Sequence, residues 1–411
     1  MPRDELRRVV VVGAGVAGLT AVDTLRRRGF EGSVSVLGAE PHQPYDRPPL
    51  SKQVLSAGWA IDRLTLRVSA ELTAAGADWR LDEAASGLDL DRRVVRTTKG
   101  RALPWDGLVI ASGARPRRLP FGHEFPNVHL LRTIDDARAL RSAFAVSRSV
   151  VVVGAGFLGC EVAAAACTGG LAVTLVDSLS APMERHLGGI LGRELGGVHA
   201  ERGVRLAMDV RVVAIEGDGR AERVVLGDGT QLDTDLVVVA IGCEPDVAWL
   251  EDSGLPIGDG VLCDSTLQVV PGVVAAGDVA SWPNPAFGRR MRVEHRTNAA
   301  EQGAAAAMTL LGGSDDFAPL PYFWSDQFDV RLHVHGDIGG GDRLEVVAGS
   351  MAERRFAALF HSADGPVAGL TWNLLKHGPV VRQRVLDACT ARRREAVSGN
   401  AGRGADPALH S

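Results

Sequence analysis

The stretch Val9-Val10-Val11-Val12-Gly13-Ala14-Gly15-Val16-Ala17-Gly18 predicts a buried β-strand followed by a glycine-rich turn and a helix. The same pattern returns in Val150-Val151-Val152-Val153-Gly154-Ala155-Gly156-Phe157-Leu158-Gly159. Glycines at these spacings permit a tight turn and bring the backbone close to a pyrophosphate, which the free N–H groups of the helix can bind. One such motif is weak evidence, but here both copies lie between a strand and a helix. The chain therefore predicts two dinucleotide-binding βαβ units.

The composition is that of an ordinary globular protein. The 411 residues are 45% hydrophobic and 23% charged, with a formal net charge of −5, which argues against a basic nucleic-acid-binding surface. No stretch approaches the length of a membrane span, and the apolar N-terminal run leads into the first glycine motif without a cleavage site. Five scattered cysteines indicate reduced thiols, and neither a disulfide framework nor a metal site. We expect a cytoplasmic protein that binds neither nucleic acid nor membrane.

Each motif is expected to continue as a helix, over residues 19–28 and 160–167, and then as a short strand, over residues 34–37 and 173–176. Asp177 follows the second of these strands, roughly 20 residues after Gly154, which is the spacing of the ribose-binding acid in dinucleotide-binding folds. A carboxylate there accepts the ribose hydroxyls and repels a 2′-phosphate. The second motif therefore predicts NADH rather than NADPH, with a surface aspartate at a strand end as the alternative.

The first motif has a less regular acidic partner. The nearest acid, Glu40, comes late, so it either reaches the ribose or leaves the ribose to another group. Farther along the chain, a strand ending at Gly277 delivers Asp278 beside a glycine turn, which suits a hydrogen bond to the ribityl chain of FAD. Strands over residues 108–113 and 236–242 are also expected to end in glycine turns beside a nucleotide.

Several segments resemble the NADH-dependent ferredoxin reductases of bacterial oxygenase systems, of the putidaredoxin-reductase type. These enzymes belong to the FAD-dependent pyridine nucleotide-disulfide oxidoreductase superfamily. The segments that carry the resemblance are Pro44–Lys52, Ala111–Arg117, Gly156–Glu161, Val293–Gln302 and Phe323–Gln327. The resemblance spans nearly the whole chain, from about residue 9 to residue 360.

The resemblance implies an α/β protein with two Rossmann-like dinucleotide-binding domains, in the glutathione-reductase-like fold, and a C-terminal αβ domain. A split FAD-binding domain is expected over residues 1–115 and 246–320, with an NADH-binding domain over residues 116–245 inserted between its parts. The C-terminal domain is expected over residues 321–395, followed by a disordered tail over residues 396–411.

The resemblance also implies roles for individual residues. Lys52 is expected near the flavin N5 and paired with Glu161, since a buried ammonium needs a partner, and Trp324 is expected to cover that site. These three residues are the expected catalytic group. The residues expected to contact the two cofactors are Gly13, Gly15, Ala17, Gly18, Glu40, Arg47, Lys52, Ala85, Ala111, Gly113, Arg132, Gly154, Gly156, Gly159, Asp177, Gly242, Gly277, Asp278 and Arg296.

Two positions depart from the family pattern. Ala39 stands where relatives often have an acid for the ribose, which weakens that contact. Arg296 stands where relatives often have an apolar residue or tryptophan, so we expect its backbone to bind FAD while its side chain takes another role. A helix over residues 298–311 is expected to direct its N-terminal dipole at the flavin.

The segment from residue 41 to residue 55 has no cysteine, whereas relatives that reduce disulfides or peroxide use thiols there. Electrons should therefore leave the flavin for an external acceptor. The expected function is that of an FAD-dependent reductase that takes a hydride from NADH and passes single electrons to an iron–sulfur ferredoxin, which supplies a monooxygenase or dioxygenase. The alternatives are an NADH oxidase or quinone reductase of the same fold, and a redox-sensing flavoprotein subunit.

Overall fold

The first glycine motif lies in a six-stranded sheet, which we call the first sheet. In the computed structural model, which describes residues 6–66, 76–341 and 343–401, the four valines of its central strand are buried. Such continuous burial is typical of parallel strands covered on both faces. The strand order is Gln268–Val270, Val273–Ala275, Gly107–Ile110, Arg8–Val12, Ser33–Leu37 and Ala77–Arg80.

Two helices pack together against the first sheet, Val16–Arg27 and Arg296–Leu310. Their close approach depends on Gly303, because a Cβ there would lie 2.2 Å from the carbonyl oxygen of Ala17. The helices begin three and two residues earlier than predicted. Strands from residues 268–275 belong to the same sheet as the strand that begins at residue 8. A domain built from two separate parts of the chain requires such an arrangement. The exact domain boundaries stay a prediction.

The second glycine motif lies in a five-stranded parallel sheet, the second sheet. Its strand order is Arg205–Ala207, Ala172–Val176, Ser149–Val153, Val237–Val239 and Val128–His129. The helices Ile134–Val146, Phe157–Thr168 and Glu184–Glu201 accompany this sheet. The helix of the motif is buried from residue 159 to residue 166, because its small alanine side chains let it sit close to neighbouring elements.

A two-stranded antiparallel ribbon of Ala114–Pro116 and Cys243–Pro245 carries the chain out of the first sheet and back into it. The predicted boundaries at 115/116 and 245/246 both fall at this ribbon. Three smaller sheets lie around the two parallel ones. The first comprises the strands Ala85–Asp89, Val94–Thr97 and Ala102–Pro104, and the second comprises Val212–Glu216, Arg223–Leu226 and Gln231–Asp233. The third comprises Ile257–Gly258, Gly260–Leu262, Ala280–Asn284 and Arg289–Met291.

The C-terminal part forms a five-stranded antiparallel sheet, the third sheet. Its strand order is Tyr322–Gln327, Val330–Gly336, Gly365–Trp372, Arg355–Ser362 and Arg343–Ser350. The helix Gly378–Ala401 packs on it through Val381, Val385 and Cys389. This helix extends into the segment 396–411 for which we predicted disorder, and residues 402–411 of that segment lie outside the described residues.

Short helical turns complete the described chain: a single α-helical turn at Gln53–Ser56, and 3-10 turns at Ile61–Leu64, Ala248–Leu250, Ile338–Gly340 and Leu375–His377. Among the residues that the structure describes, no helix is both long and apolar enough to cross a membrane.

Candidate functional site

All three large sheets contribute to one cleft with a volume of about 970 Å³. The carboxyl ends of the strands Arg8–Val12 and Gly107–Ile110 open into it from the first sheet, and that of Val237–Val239 opens from the second sheet. In open parallel sheets, ligands bind beyond these ends of the strands. Phe323 and Trp324 of the third sheet line the cleft as well.

The three glycines of the first motif have different physical roles. A Cβ at Gly13 would lie 1.9 Å from the carbonyl oxygen of Ala111, and one at Gly18 would lie 2.0 Å from the carbonyl oxygen of Gly13. These two glycines are therefore required by packing. Gly15 lines the cleft, and a Cβ there would meet nothing within 4 Å. It leaves bare backbone and open space at the start of a helix, as a pyrophosphate requires.

The second motif repeats this division. Cβ atoms at Gly154 and Gly159 would lie 2.4 Å from the carbonyl oxygen of Ala240 and 1.7 Å from that of Gly154, respectively. Gly156 instead lines the cleft with nothing within 4 Å of a Cβ. The cleft therefore contains two helix N-termini with space for a phosphate, so the residues present fit two dinucleotides.

Most of the predicted contact residues do line this cleft. Four do not, namely Gly18, Gly154, Gly159 and Asp177. The three glycines serve the turns. The carboxylate of Asp177 accepts hydrogen bonds from the backbone N–H groups of Ala155 at 2.6 Å and Leu179 at 2.9 Å, so it holds the glycine turn against the end of the neighbouring strand.

Glu40 is engaged by protein groups on both carboxylate oxygens. Arg47 pairs with it at 2.6 Å, and the hydroxyl of Tyr45 donates to it at 2.7 Å. Arg47 also donates to the carbonyl oxygen of Arg132 at 2.7 Å. Burial, together with the negative charge of Glu40, raises the pKa of Tyr45, although Arg47 opposes this rise. The Tyr45 hydroxyl therefore stays protonated and ties this wall of the cleft together.

Arg132 and Asp278 meet inside the cleft although 146 positions separate them in the sequence. Their side chains form an ion pair at 2.9 Å, with Arg132 26% and Asp278 14% exposed. The sequence predicted each residue as an FAD contact, but it gave no sign that they pair with each other. The pairing leaves the second carboxylate oxygen of Asp278 able to accept a bond from a ligand.

Lys52 and Glu161 form the buried ion pair expected from the resemblance. Their closest atoms are 2.8 Å apart, and only 11% and 6% of their side chains are exposed. Glu161 also accepts hydrogen bonds from the hydroxyl groups of Ser51 at 2.5 Å and Ser325 at 2.7 Å. Both carboxylate oxygens are thus hydrogen-bonded, which stabilises the ionised form of a buried acid.

The Arg296 side chain has a specific partner. Its Nε donates to Asp46 at 2.9 Å, which joins the first turn of the helix Arg296–Leu310 to the loop that carries Lys52. This contact is the role that the Arg296 side chain takes in the structure.

A cluster of aromatic rings on the cleft wall went unrecognised in the sequence. The Phe157 ring centroid lies 4.3 Å from that of His186 and 4.7 Å from that of Phe323, and His295 lies 5.1 Å from Phe323. The Nδ1 atoms of both histidines are buried and have no hydrogen-bond partner among the described residues. The members come from four elements that are distant in sequence, so local patterns could not reveal the cluster. Trp324 lies nearby and stacks on Tyr322 at 5.9 Å.

His295 should make the stability of the protein sensitive to acid. Burial, assisted by the neighbouring His186, lowers its pKa from 6.5 to about 4. The unfolded chain therefore binds more protons between these values, and the free energy of unfolding should fall as pH drops below 6.5. Between pH 8 and pH 5 the loss due to His295 should be about 2 kcal/mol.

Chemical denaturation at the two pH values, on the wild type and on His295→Phe, measures this loss. Phenylalanine keeps a ring in the cluster but cannot take up a proton, so the variant should lose about 2 kcal/mol less than the wild type over this range. Equal losses in both proteins would contradict the assignment.

Cys243 also lines the cleft, although no motif in the sequence indicates it as a site residue. Burial and the adjacent Glu294 carboxylate raise the pKa of its thiol to about 12. The thiol is therefore protonated at neutral pH, and a protonated thiol is a poor nucleophile.

Comparison with known proteins is consistent with this geometry. Residues 7–303 match the family described as pyridine nucleotide-disulphide oxidoreductase, and residues 322–397 match the family described as reductase C-terminal.

Among curated proteins, rhodocoxin reductase from Rhodococcus erythropolis is 36% identical over 84% of this chain and 81% of its own length. The ferredoxin reductase component of chlorobenzene dioxygenase from Cupriavidus sp. (strain PS12) is 36% identical over 87% of each chain. The solved covalent complex of putidaredoxin reductase with putidaredoxin superposes with a TM-score of 0.89, at 31% identity over 93% of each chain.

Proposed function

This chain belongs to the pyridine nucleotide-disulphide oxidoreductase family, and we propose that it is an FAD-dependent NADH–ferredoxin reductase whose iron–sulfur acceptor supplies a monooxygenase or dioxygenase. The observation that carries this proposal is the single cleft lined by Gly15 and Gly156, each at the start of a helix with open space beside it. The relative named as the ferredoxin reductase component of chlorobenzene dioxygenase, aligned over 87% of each chain, supports the choice of acceptor.

The first glycine turn would hold the pyrophosphate of FAD. The same proposal includes the predicted division of the chain. Residues 1–115 and 246–320 form the FAD-binding domain around this turn, and residues 116–245 form the NADH-binding domain around the other. Ala17, Ala85 and Gly113 line the adjoining cleft wall and leave room for a large ligand because their side chains are small or absent. FAD, when bound, supplies the redox chemistry that connects a two-electron donor, NADH, with a one-electron acceptor.

Lys52 contributes a positive charge to the cleft wall, held in place by Glu161. A fixed positive charge stabilises negative charge that develops on a neighbouring ligand. Arg132 and Asp278 would bind the polar chain of FAD, and the helix Arg296–Leu310 directs its N-terminal N–H groups towards the same region.

The second glycine turn would hold NADH. Gly242 lines the same wall of the cleft, and Arg185 is exposed beside it, where its charge suits a phosphate. Asp177 accepts two backbone hydrogen bonds, and each carboxylate oxygen retains acceptor capacity for a ribose hydroxyl. We therefore keep Asp177 as the residue that favours NADH over NADPH.

Electrons leave for an external acceptor in this proposal, because the segment from residue 41 to residue 55 has no cysteine and the thiol of Cys243 is protonated. Trp324 lies at the cleft wall with part of its ring exposed, where it can cover the reduced site. The five cysteines are all free thiols, which suits the reducing cytoplasm in which we place the protein.

Ferredoxin should be required for efficient electron transfer to a reporter. NADH-driven reduction of cytochrome c should depend on added ferredoxin, and NADPH should be a poor substitute for NADH. Exposed arginines at the cleft, Arg115, Arg117 and Arg185, should steer an acidic partner. The rate should therefore fall as ionic strength rises from about 0.01 M, where the Debye length is about 30 Å, to about 0.15 M, where it is about 8 Å.

Stopped-flow reduction with NADH and with NADPH, followed by turnover with a panel of ferredoxins, measures these steps separately. Direct reduction of cytochrome c at the same rate without any ferredoxin would overturn the assigned acceptor. Rapid turnover with oxygen or a quinone alone would identify an oxidase or a quinone reductase instead.

A further inference from the structure

A buried chain of side-chain hydrogen bonds leads away from Oε1 of Glu161, the same carboxylate oxygen that pairs with Lys52. The hydroxyl of Ser325 donates to Glu161 at 2.7 Å, and Nε2 of Gln327 donates to the Ser325 oxygen at 3.0 Å. His199 Nε2 lies 2.8 Å from the Gln327 amide oxygen. Ser325, Gln327 and His199 are at most 1% exposed.

The direction of every proton in this chain is fixed. The hydroxyl proton of Ser325 goes to Glu161, so Ser325 can only accept from its other neighbour, and the Gln327 amide must present N–H to it. The opposite amide orientation would place two acceptors against each other. The amide oxygen of Gln327 then requires that His199 donate through Nε2. Burial lowers the pKa of His199, which favours the neutral ring. Since Nε2 carries the proton of that ring, Nδ1, which has no partner among the described residues, is the unprotonated nitrogen.

The chain connects parts of the fold that the cleft separates. Lys52 and Ser51 lie between the strands Ser33–Leu37 and Ala77–Arg80 of the first sheet, and Glu161 lies on the helix of the second motif. Ser325 and Gln327 lie on the first strand of the third sheet, whereas His199 lies on the helix Glu184–Glu201. Gln327 also contacts the sulfur of Met183 at 3.2 Å. Three side chains contact the Glu161 carboxylate directly, Ser51, Lys52 and Ser325, whereas Gln327 and His199 act on it through Ser325.

We infer that Ser325, Gln327 and His199 are positioning residues that fix Glu161 in one orientation and thereby hold the Lys52 ammonium against the cleft. None of the three reaches the cleft itself, so they act only through Glu161. The functional importance of the Lys52 charge rests on the proposed function, but the positioning is a property of the chain itself and is testable without NADH or ferredoxin.

The composition of the chain makes the test unusually clear. Lys52, Lys99 and Lys376 are the only lysines in 411 residues. Lys99 pairs with Asp82 at the surface and is 44% exposed, whereas Lys52 is 11% exposed and ion-paired. Lys99 and Lys376 therefore serve as internal references when the holoenzyme reacts with a small amine-acylating reagent and the products are quantified by mass spectrometry.

Gln327→Met should raise the acylation rate of Lys52, relative to both reference lysines, because methionine keeps the volume but breaks both links of the chain. A lysine that is ion-paired with a fixed carboxylate reacts slowly with the reagent. If Glu161 is held less firmly, its pairing with Lys52 weakens and the Lys52 amine becomes more accessible. We expect the acylation rate to rise about threefold or more. This corresponds to the low end of the interaction energies between residues of one hydrogen-bond network. The midpoint potential of bound FAD should become more negative in the same variant, as the positive charge loses its fixed place.

His199→Phe provides a second, milder test should Gln327→Met fold poorly. It keeps a ring against Phe328, whose centroid lies 5.1 Å away, but it removes the terminal donor, so Lys52 should react at a rate between those of the wild type and Gln327→Met.

Thr371→Val is the matched control, since Thr371 is fully buried in the same sheet and its hydroxyl has no partner among the described residues. Unchanged Lys52 reactivity and FAD potential in both test variants would overturn the inference, as would an equal change in Thr371→Val. If the wild type showed no ferredoxin-dependent turnover, the proposed function would be contradicted. The result on Lys52 reactivity would still hold, because it does not depend on ferredoxin.

Discussion

Replacing Gly156 with valine should abolish reduction by NADH while the fold and the FAD content stay intact. The backbone of Gly156 has φ −74° and ψ −167°, which any residue adopts. A Cβ there would meet no protein atom within 4 Å, so valine fits the folded chain. It would nevertheless fill the space beside the helix N-terminus that a pyrophosphate needs.

The expected loss in the second-order rate of reduction by NADH is at least about 100-fold, equivalent to roughly 2.7 kcal/mol of binding. Gly15→Val is the mirror experiment, since Gly15 has φ −84° and equally open space. That variant should fold but purify without FAD. Stopped-flow absorbance and the flavin-to-protein ratio measure the two effects.

Gly87→Val is the control, because a Cβ at Gly87 also meets nothing within 4 Å but the residue lies outside the cleft. It should retain both FAD and NADH reduction. If Gly156→Val lost FAD, or Gly15→Val kept FAD and lost NADH reduction, the assignment of the two motifs to the two cofactors would be reversed.

The contrast among these glycines indicates which features can be predicted from the sequence and which require the folded structure. A strand, a glycine turn and a helix are local features, so the two motifs and their surroundings followed from residue order. The different roles of the glycines within each motif did not follow from residue order. Gly159 faces the carbonyl oxygen of Gly154, whereas Gly156 faces open space, and only the folded backbone distinguishes these two environments.

Long-range pairings were harder still to predict. The resemblance implied that Lys52 pairs with Glu161, and the structure contains that ion pair. No local pattern indicates the pairing of Arg132 with Asp278 or the cluster around His295, because their members come from distant segments. The strand Gly365–Trp372 is also hard to predict from local sequence. It opens with glycine and proline, which are typical of turns, although its later residues are buried in the sheet.

Glu161→Leu should be the most destabilising single change at the cleft. It would remove one member of a buried ion pair and leave the Lys52 ammonium without its charge partner, together with the hydroxyl groups of Ser51 and Ser325. Breaking a buried pair from one side costs about 3–5 kcal/mol. Leucine itself is a good helix former, so the helix Phe157–Thr168 should not be the cause of the loss.

Lys52→Met should cost less, about 1–3 kcal/mol, because the remaining carboxylate keeps its two hydroxyl donors. The double variant should be more stable than Glu161→Leu alone, since it buries no unpaired ammonium. Denaturant unfolding of all four proteins gives the coupling energy, which should be at least about 1 kcal/mol for groups in direct contact.

The same double variant separates stability from function. If the Lys52 charge serves the flavin, restoring stability by removing both charges should not restore the rate of reduction by NADH or the FAD potential of the wild type. A double variant that regains both would show that the ion pair serves only the fold. Additive effects of the two single changes would mean that the 2.8 Å contact contributes little coupling, and that Lys52 is held in the cleft by its packing instead.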